Sequence, residues 1–153
     1  MRRKDKERDE QFAWQVLRDA EYGVLAVCDG DTPYCVPVNH VADEDGRAVY
    51  FHCAAAGRKW EVLEKEPPVC FTAVSYASLV PEKLTTDFDS AVLHGRARVV
   101  RDEAEKMRAL HLLVERLDPA AIAKGEFCGA ATIARTAVVK LEISELTGKQ
   151  SRK

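Results

Sequence analysis

Between residues 22 and 53 the chain switches repeatedly between short alternating apolar runs and turn residues, a pattern that an antiparallel sheet accommodates and a helix bundle does not. Residues 22–28 read as a first strand, and Asp29-Gly30-Asp31 supplies turn chemistry ahead of Pro33. Tyr34, Val36, Val38 and His40 then alternate with Cys35, Pro37 and Asn39. Residues 43–46 make a second turn and 47–53 a third strand, so this stretch predicts a meander. Ahead of it, residues 1–8 are a charged lead-in. Phe12, Ala13, Val16, Leu17 and Ala20 follow at helical spacing, with Asp9 as cap and Gly23 as stop.

After Cys53 the period changes. A small-residue turn, Ala54-Ala55-Ala56-Gly57, leads into a helix over 58–66 that buries Trp60 and Leu63, and Pro67-Pro68 ends it. Residues 69–77 read as a fourth strand and 78–86 as a loop. Residues 88–101 read as a long strand or strand pair, with Gly95 marking a bulge or bend. Asp102 caps an amphipathic helix carrying Met107, Leu110, Leu113, Val114 and Leu117. Short helix and loop over 118–136 precede a last strand over 137–143 and a Gly-Lys ending, with 150–153 as a tail. The 153 residues contain no internal repeat and predict a single domain. About six antiparallel strands with peripheral helices imply a small β-barrel, mainly β in the α+β style.

Composition narrows the partners. A net charge of −2 and only 7% aromatic residues argue against nucleic acid, which is bound through basic surface and stacking platforms. The apolar runs are far shorter than the ~20 residues of a membrane span, so no membrane association is expected. Five cysteines (Cys28, Cys35, Cys53, Cys70 and Cys128) form no C-x-x-C pair and sit mostly in apolar runs. They read as small hydrophobes in a reducing, cytoplasmic setting rather than as disulfides or zinc ligands.

Two segments carry chemistry. In YFHCAAAGRKWEVLEKE a strand ends near His52, small residues turn, and a helix opens with Gly57-Arg58-Lys59. Free backbone N–H groups, the positive helix end and two cations together suit a terminal phosphate, although the spacing is not that of a Walker loop. A solvated basic helix start is the competing reading. In VPVNH, Pro37 demotes its strand to an edge, whose unpaired backbone can bond a flat heterocycle, and Asn39 offers a donor and an acceptor to the same ring. A polar edge strand explains the same residues.

Other constellations lack the spacing their chemistry needs. His40, His52, His94 and His111 lie at no metal-ligand spacing, so no metal site is expected. His94, Arg96 and Arg98 form a basic stripe that reads as solvated, with an anionic ligand as the alternative. No G-x-S-x-G elbow supports serine hydrolysis.

The run PYCVPVNHVADEDGRAVYFHCAAAGRKWEVLEKEPPVCFTAV resembles the split-barrel flavoproteins related to pyridoxamine 5′-phosphate oxidase, and most of all the branch that includes the 5-nitroimidazole resistance proteins. TTDFDSAVLHGRARVV and LEISELTGK extend the resemblance over nearly the whole chain. It implies a six-stranded antiparallel split β-barrel with peripheral helices, a homodimer holding FMN at the subunit interface, and an FMN-dependent oxidoreductase acting on a small molecule such as a nitro-aromatic. Arg58 and Lys59 would neutralise the phosphate, and His52, Cys53, Ala54 and Gly57 would line that end. Pro37, Val38 and Asn39 would face the ring, and Ser90 would approach from the second subunit. Three positions depart from the family pattern: Cys53 replaces a common serine or glycine, Ala91 an expected valine, and Asp89 a frequent basic residue, which makes that rim more acidic. A non-catalytic flavin-binding or sensing module, and a haem- or deazaflavin-binding relative using His40, His52 or His94, are the rival readings. The catalytic residues, the substrate and the electron donor are not readable from the sequence.

Overall fold

A computed structural model describes residues 3–124 and 134–152. Its strands are β1 (Glu7–Arg8), β2 (Gly23–Asp29), β3 (Thr32–Val38), β4 (Val41–Asp43), β5 (Ala48–Ala54), β6 (Pro68–Val80), β7 (Thr85–Val99) and β8 (Thr136–Ser151). Its helices are α1 (Glu10–Asp19), α2 (Arg58–Leu63), α3 (Glu103–Leu117) and α4 (Pro119–Ala123). All strand pairs are antiparallel, in the order β3-β2-β6-β7-β8-β5-β4, and β1 pairs with β8. The path does not close. Its two edges, β3 and β4, follow one another in the chain, so the seam of this split barrel opens from the corner at residues 39–40.

Six strands are long, and two short additions, β1 and β4, escape a reading based on alternation. Three boundaries move. The expected loop over 78–86 is largely strand: β6 and β7 pair as far as Val80–Thr85, around a tight turn at Pro81–Lys83. The first two residues of the expected tail are strand as well, since β8 continues to Ser151. The end of the charged lead-in is tied down, with Glu7 opposite Lys149 and Arg8 opposite Gly148.

Gly95 marks an irregularity as expected, but the extra residue lies across from it. His94 pairs with Glu145 and Gly95 with Ile143, which leaves Ser144 bulged on β8. A Cβ on Gly95 would stand 1.9 Å from the Glu142 carbonyl oxygen, so this close approach of two backbones requires glycine.

The barrel interior packs Leu25, Val27, Phe51, Phe71, Leu93, Val139 and Leu141 against Trp14 and Leu17 of α1 and Val62 and Leu63 of α2. Asp9 caps α1 through the Phe12 N–H, and Asp102 caps α3 through the Glu105 N–H. A second cluster joins Ala109, Leu110 and Leu113 of α3 to Tyr50, Val100 and Val138. Met107 and Leu117, expected in that stripe, are exposed, and Ala109 is buried instead. No helix among the described residues is long and apolar enough to cross a membrane.

The cysteines divide. Cys53 is buried, Cys70 is half-buried, and Cys28 and Cys35 are exposed, correcting the uniform expectation of core thiols; all four are free. Cys128 lies outside the described residues.

Candidate functional site

Along the end of β5, burial alternates: His52 and Ala54 face outward and Cys53 faces the core. The Cys53 thiol is pushed up by burial, against the nearby charge of Lys59. Cys53 can therefore offer a ligand its backbone but not its sulfur. Gly57 then turns the chain with φ +83, a conformation that suits glycine, and a side chain there would meet nothing within 4 Å. It precedes α2, whose first turn has no side-chain cap. Arg58 is exposed and Lys59 half-buried at this start.

Arg58 already has two partners. Its Nε donates to Asp29 Oδ2 at 3.0 Å, and its guanidinium lies 4.6 Å from the centre of the Tyr34 ring. The cationic pole is thus joined to the β2–β3 hairpin, at the N-terminal end of the edge strand. In the sequence Asp29 is only a turn residue and Tyr34 one member of an alternating run, and nothing local ties either to Arg58.

Pro37 and Val38 stand at the other end of that strand, with Asn39 next to them; Val38 is buried, whereas Pro37 and Asn39 are exposed. From Tyr34 to Pro37 is three steps, about 10 Å of strand. β3 is an edge, as Pro37 implies, so one side of its backbone has no strand partner.

Within one chain Ser90 is remote from the His52 end of the site, although it stands one step from Ala91, in the row of Ala73, Gly23 and Val38. It pairs with Val74 and Lys149, whereas His52 lies level with Val138, beside the far end of β7. Nine residues, roughly 30 Å of strand, separate Ser90 from that level. Its Oγ donates to the Lys149 carbonyl at 3.4 Å.

The acidic rim expected from Asp89 is not exposed. Asp89 is buried and ion-paired with Arg152, and it accepts from Gln150 Nε2 at 3.0 Å. Arg152 lies over the Tyr76 ring at 4.0 Å. The charge change relative to the family pattern is therefore compensated by the end of β8.

The remaining candidates have structural partners. His40 is fully buried, its Nε2 donates to the Leu17 carbonyl at 2.8 Å, and burial pushes its pKa down to about 4. In the basic stripe, Arg96 donates to the Glu66 carbonyl, and Arg98 and Arg101 engage the Glu66 carboxylate. Hydrogen bonds, the largest from Arg101, hold that carboxyl at about 2. Among the described residues, no group of His, Cys, Asp and Glu is placed to hold a metal.

A family model described as pyridoxamine 5′-phosphate oxidase matches residues 9–150. No curated protein matches the sequence. Among solved structures, the flavocytochrome Anf3 of Azotobacter vinelandii is similar over 100% of this chain and 72% of its own, with 25% identity and a TM-score of 0.84. A candidate 5-nitroimidazole antibiotic resistance protein of Bacteroides thetaiotaomicron is similar over 92% of this chain and 83% of its own, with 24% identity and a TM-score of 0.76. An FAD and heme binding protein of Mycobacterium smegmatis is similar over 97% of this chain and 74% of its own, with 17% identity and a TM-score of 0.85.

Proposed function

We propose, from the premise that the chain belongs to the pyridoxamine 5′-phosphate oxidase family, that it binds a flavin, FMN, between two copies of itself and reduces a small electron acceptor such as a nitro-aromatic. The observation that carries this reading is the pairing of a cationic pole with an open edge on one strand. Arg58 and Lys59 stand at one end of β3, and Pro37, Val38 and Asn39 at the other, about 10 Å along. A phosphate-bearing flat heterocycle needs a dianion site and a hydrogen-bonding edge at such a separation, and the residues present fit one.

When bound, a flavin supplies the redox chemistry, and the chain binds and orients it. Lys59 and Arg58 neutralise the phosphate, with Arg58 leaving or sharing its contact with Asp29. Gly57 lets the ligand approach the backbone closely, and His52 and Ala54 wall this end. The open side of the β3 backbone at Pro37–Val38 and the Asn39 amide hold the ring edge. No acid–base residue is assigned, so positioning is the protein's main contribution.

The second copy is supported by an uncharged row on the outward face. Pro37, Val24, Thr72, Val92 and Thr147 form one row across five strands, and none is charged or fully buried. Val74, Tyr76, Leu79 and Leu84 extend the apolar surface along the β6–β7 hairpin, Leu84 being 96% exposed. In a dimer built on this face, Ser90 would be the residue offered to the partner's flavin.

Similar structures include a flavocytochrome and an FAD and heme binding protein. A haem reading has one observation behind it: His94 borders a largely apolar groove of about 490 Å³ that Ala26, Cys35 and Cys70 also line. The visible spectrum of the purified protein separates the readings, flavin bands supporting the first and a Soret band the second. A protein colourless both as purified and after incubation with FMN contradicts the flavin reading.

A further inference from the structure

Where α1 ends and β2 begins, a basin of about 440 Å³ opens, walled by Asp19, Glu21, Tyr22, Val24, Thr72 and Tyr76 among others. We propose that it is the acceptor pocket and that it takes a flat aromatic cation. The identity of the acceptor rests on the flavoprotein reading; the pocket's preference for a cation does not.

Position is the first argument. Gly23 pairs with Val38, so Tyr22 and Asn39 are the next residues beyond that pair. Val24 and Thr72 lie opposite one another, in the same outward row as Pro37. The basin therefore borders the corner assigned to the ring edge. A β-bulge between Val74 and Tyr76 interrupts the pairing of β6 along its wall.

Shape and charge are the second. Tyr22 is 55% exposed and lines the basin beside small residues, Gly23, Ala73 and Ser75 among them, while Tyr76 lies on the face assigned to the second copy. A large aromatic left open beside a cavity is suited to stacking on a planar guest. Both charged residues in the lining, Asp19 and Glu21, are acidic. Asp19 accepts from Gln15 Nε2 at 2.8 Å, while Glu21 has no hydrogen bond or ion pair among the described residues. Tyr76 already has the Arg152 guanidinium over its ring, at 4.0 Å, whereas none of the cations found over described rings stands over Tyr22. Of the lining itself, an anion would meet two like charges and a planar cation two carboxylates and an open π face, while Arg116 near Asp19 and Arg152 over Tyr76 stand behind the rim.

The test uses two fluorescent probes of similar size, N-methylacridinium and acridine-9-carboxylate, titrated into the full-length protein with and without added FMN. The proposal expects the cation to bind at least about tenfold more tightly than the anion. Tyr22→Leu and Glu21→Gln, both at exposed positions, should each weaken the cation roughly three- to tenfold and leave the anion no weaker. Equal binding of the two probes, or a cation affinity unmoved by both substitutions, overturns it. If the flavin reading fails, the FMN absorbance is missing from the same samples while the probe titrations still report on the basin.

Discussion

Arg58 donates to Asp29 across 3.0 Å, so the side chain with the strongest case for holding a phosphate is already engaged with a carboxylate. Both partners are substantially exposed, and exposed pairs of this kind contribute no more than about 1 kcal/mol. An arriving dianion can displace such a contact, and the contact should compete with it. Asp29→Asn is therefore expected to tighten FMN binding, by roughly two- to fivefold, in a flavin-fluorescence titration. Arg58→Ala combined with Lys59→Ala should weaken it by about a hundredfold or more, because two charge-assisted hydrogen bonds are lost.

The Asp89–Arg152 pair gives a prediction about stability. Removing Arg152 leaves a buried carboxylate with Gln150 as its remaining partner. Arg152→Ala is expected to cost about 1–3 kcal/mol in urea unfolding, a range discounted because the arginine is 45% exposed. Adding Asp89→Asn to that variant should recover much of the loss, since no charge then needs a partner.

His40 predicts a pH dependence. Its folded pKa is about 4, depressed by burial, against about 6.5 in an unfolded chain. Between these values the unfolded chain binds more protons, so stability rises with pH through the window and is lost as pH falls from about 6.5 towards 4. The charged group facing the ring is Arg116, from α3, which further disfavours the imidazolium. Urea midpoints measured across this range should fall less steeply for His40→Gln than for the parent protein.

Gly95→Ala should be severe. The added methyl would stand 1.9 Å from a backbone oxygen, which cannot yield as a flexible side chain can. A loss of more than about 3 kcal/mol, or failure to accumulate as folded protein, is expected by circular dichroism and urea unfolding.

Legibility in the sequence followed the range of the signals. Asp9 and Asp102 announced their helices because a cap acts within three residues. Pro37 announced an edge because it lacks an N–H. The continuation of β8 was hidden by its own bulge: Ile143 and Leu146 are both buried, and the extra Ser144 between them breaks the two-residue period. The β6–β7 hairpin was missed for a related reason, since its outer half leaves Leu79 and Leu84 in solvent and shows no inside–outside alternation. The compensation of Asp89 by Arg152 spans 63 residues and depends on register, which no local pattern encodes. The same holds for Asp29 at Arg58 and for the basin beside Tyr22. The cationic pole and the edge strand were readable separately; that they share one strand was a property of the fold.

The most direct measurement is an FMN titration of the purified protein followed by sedimentation, monitored both at flavin wavelengths and in the far ultraviolet. The account predicts one flavin per chain co-sedimenting with a dimer, and its loss in the Arg58→Ala, Lys59→Ala variant. A protein that acquires no flavin absorbance, or a variant that retains full affinity, would contradict it.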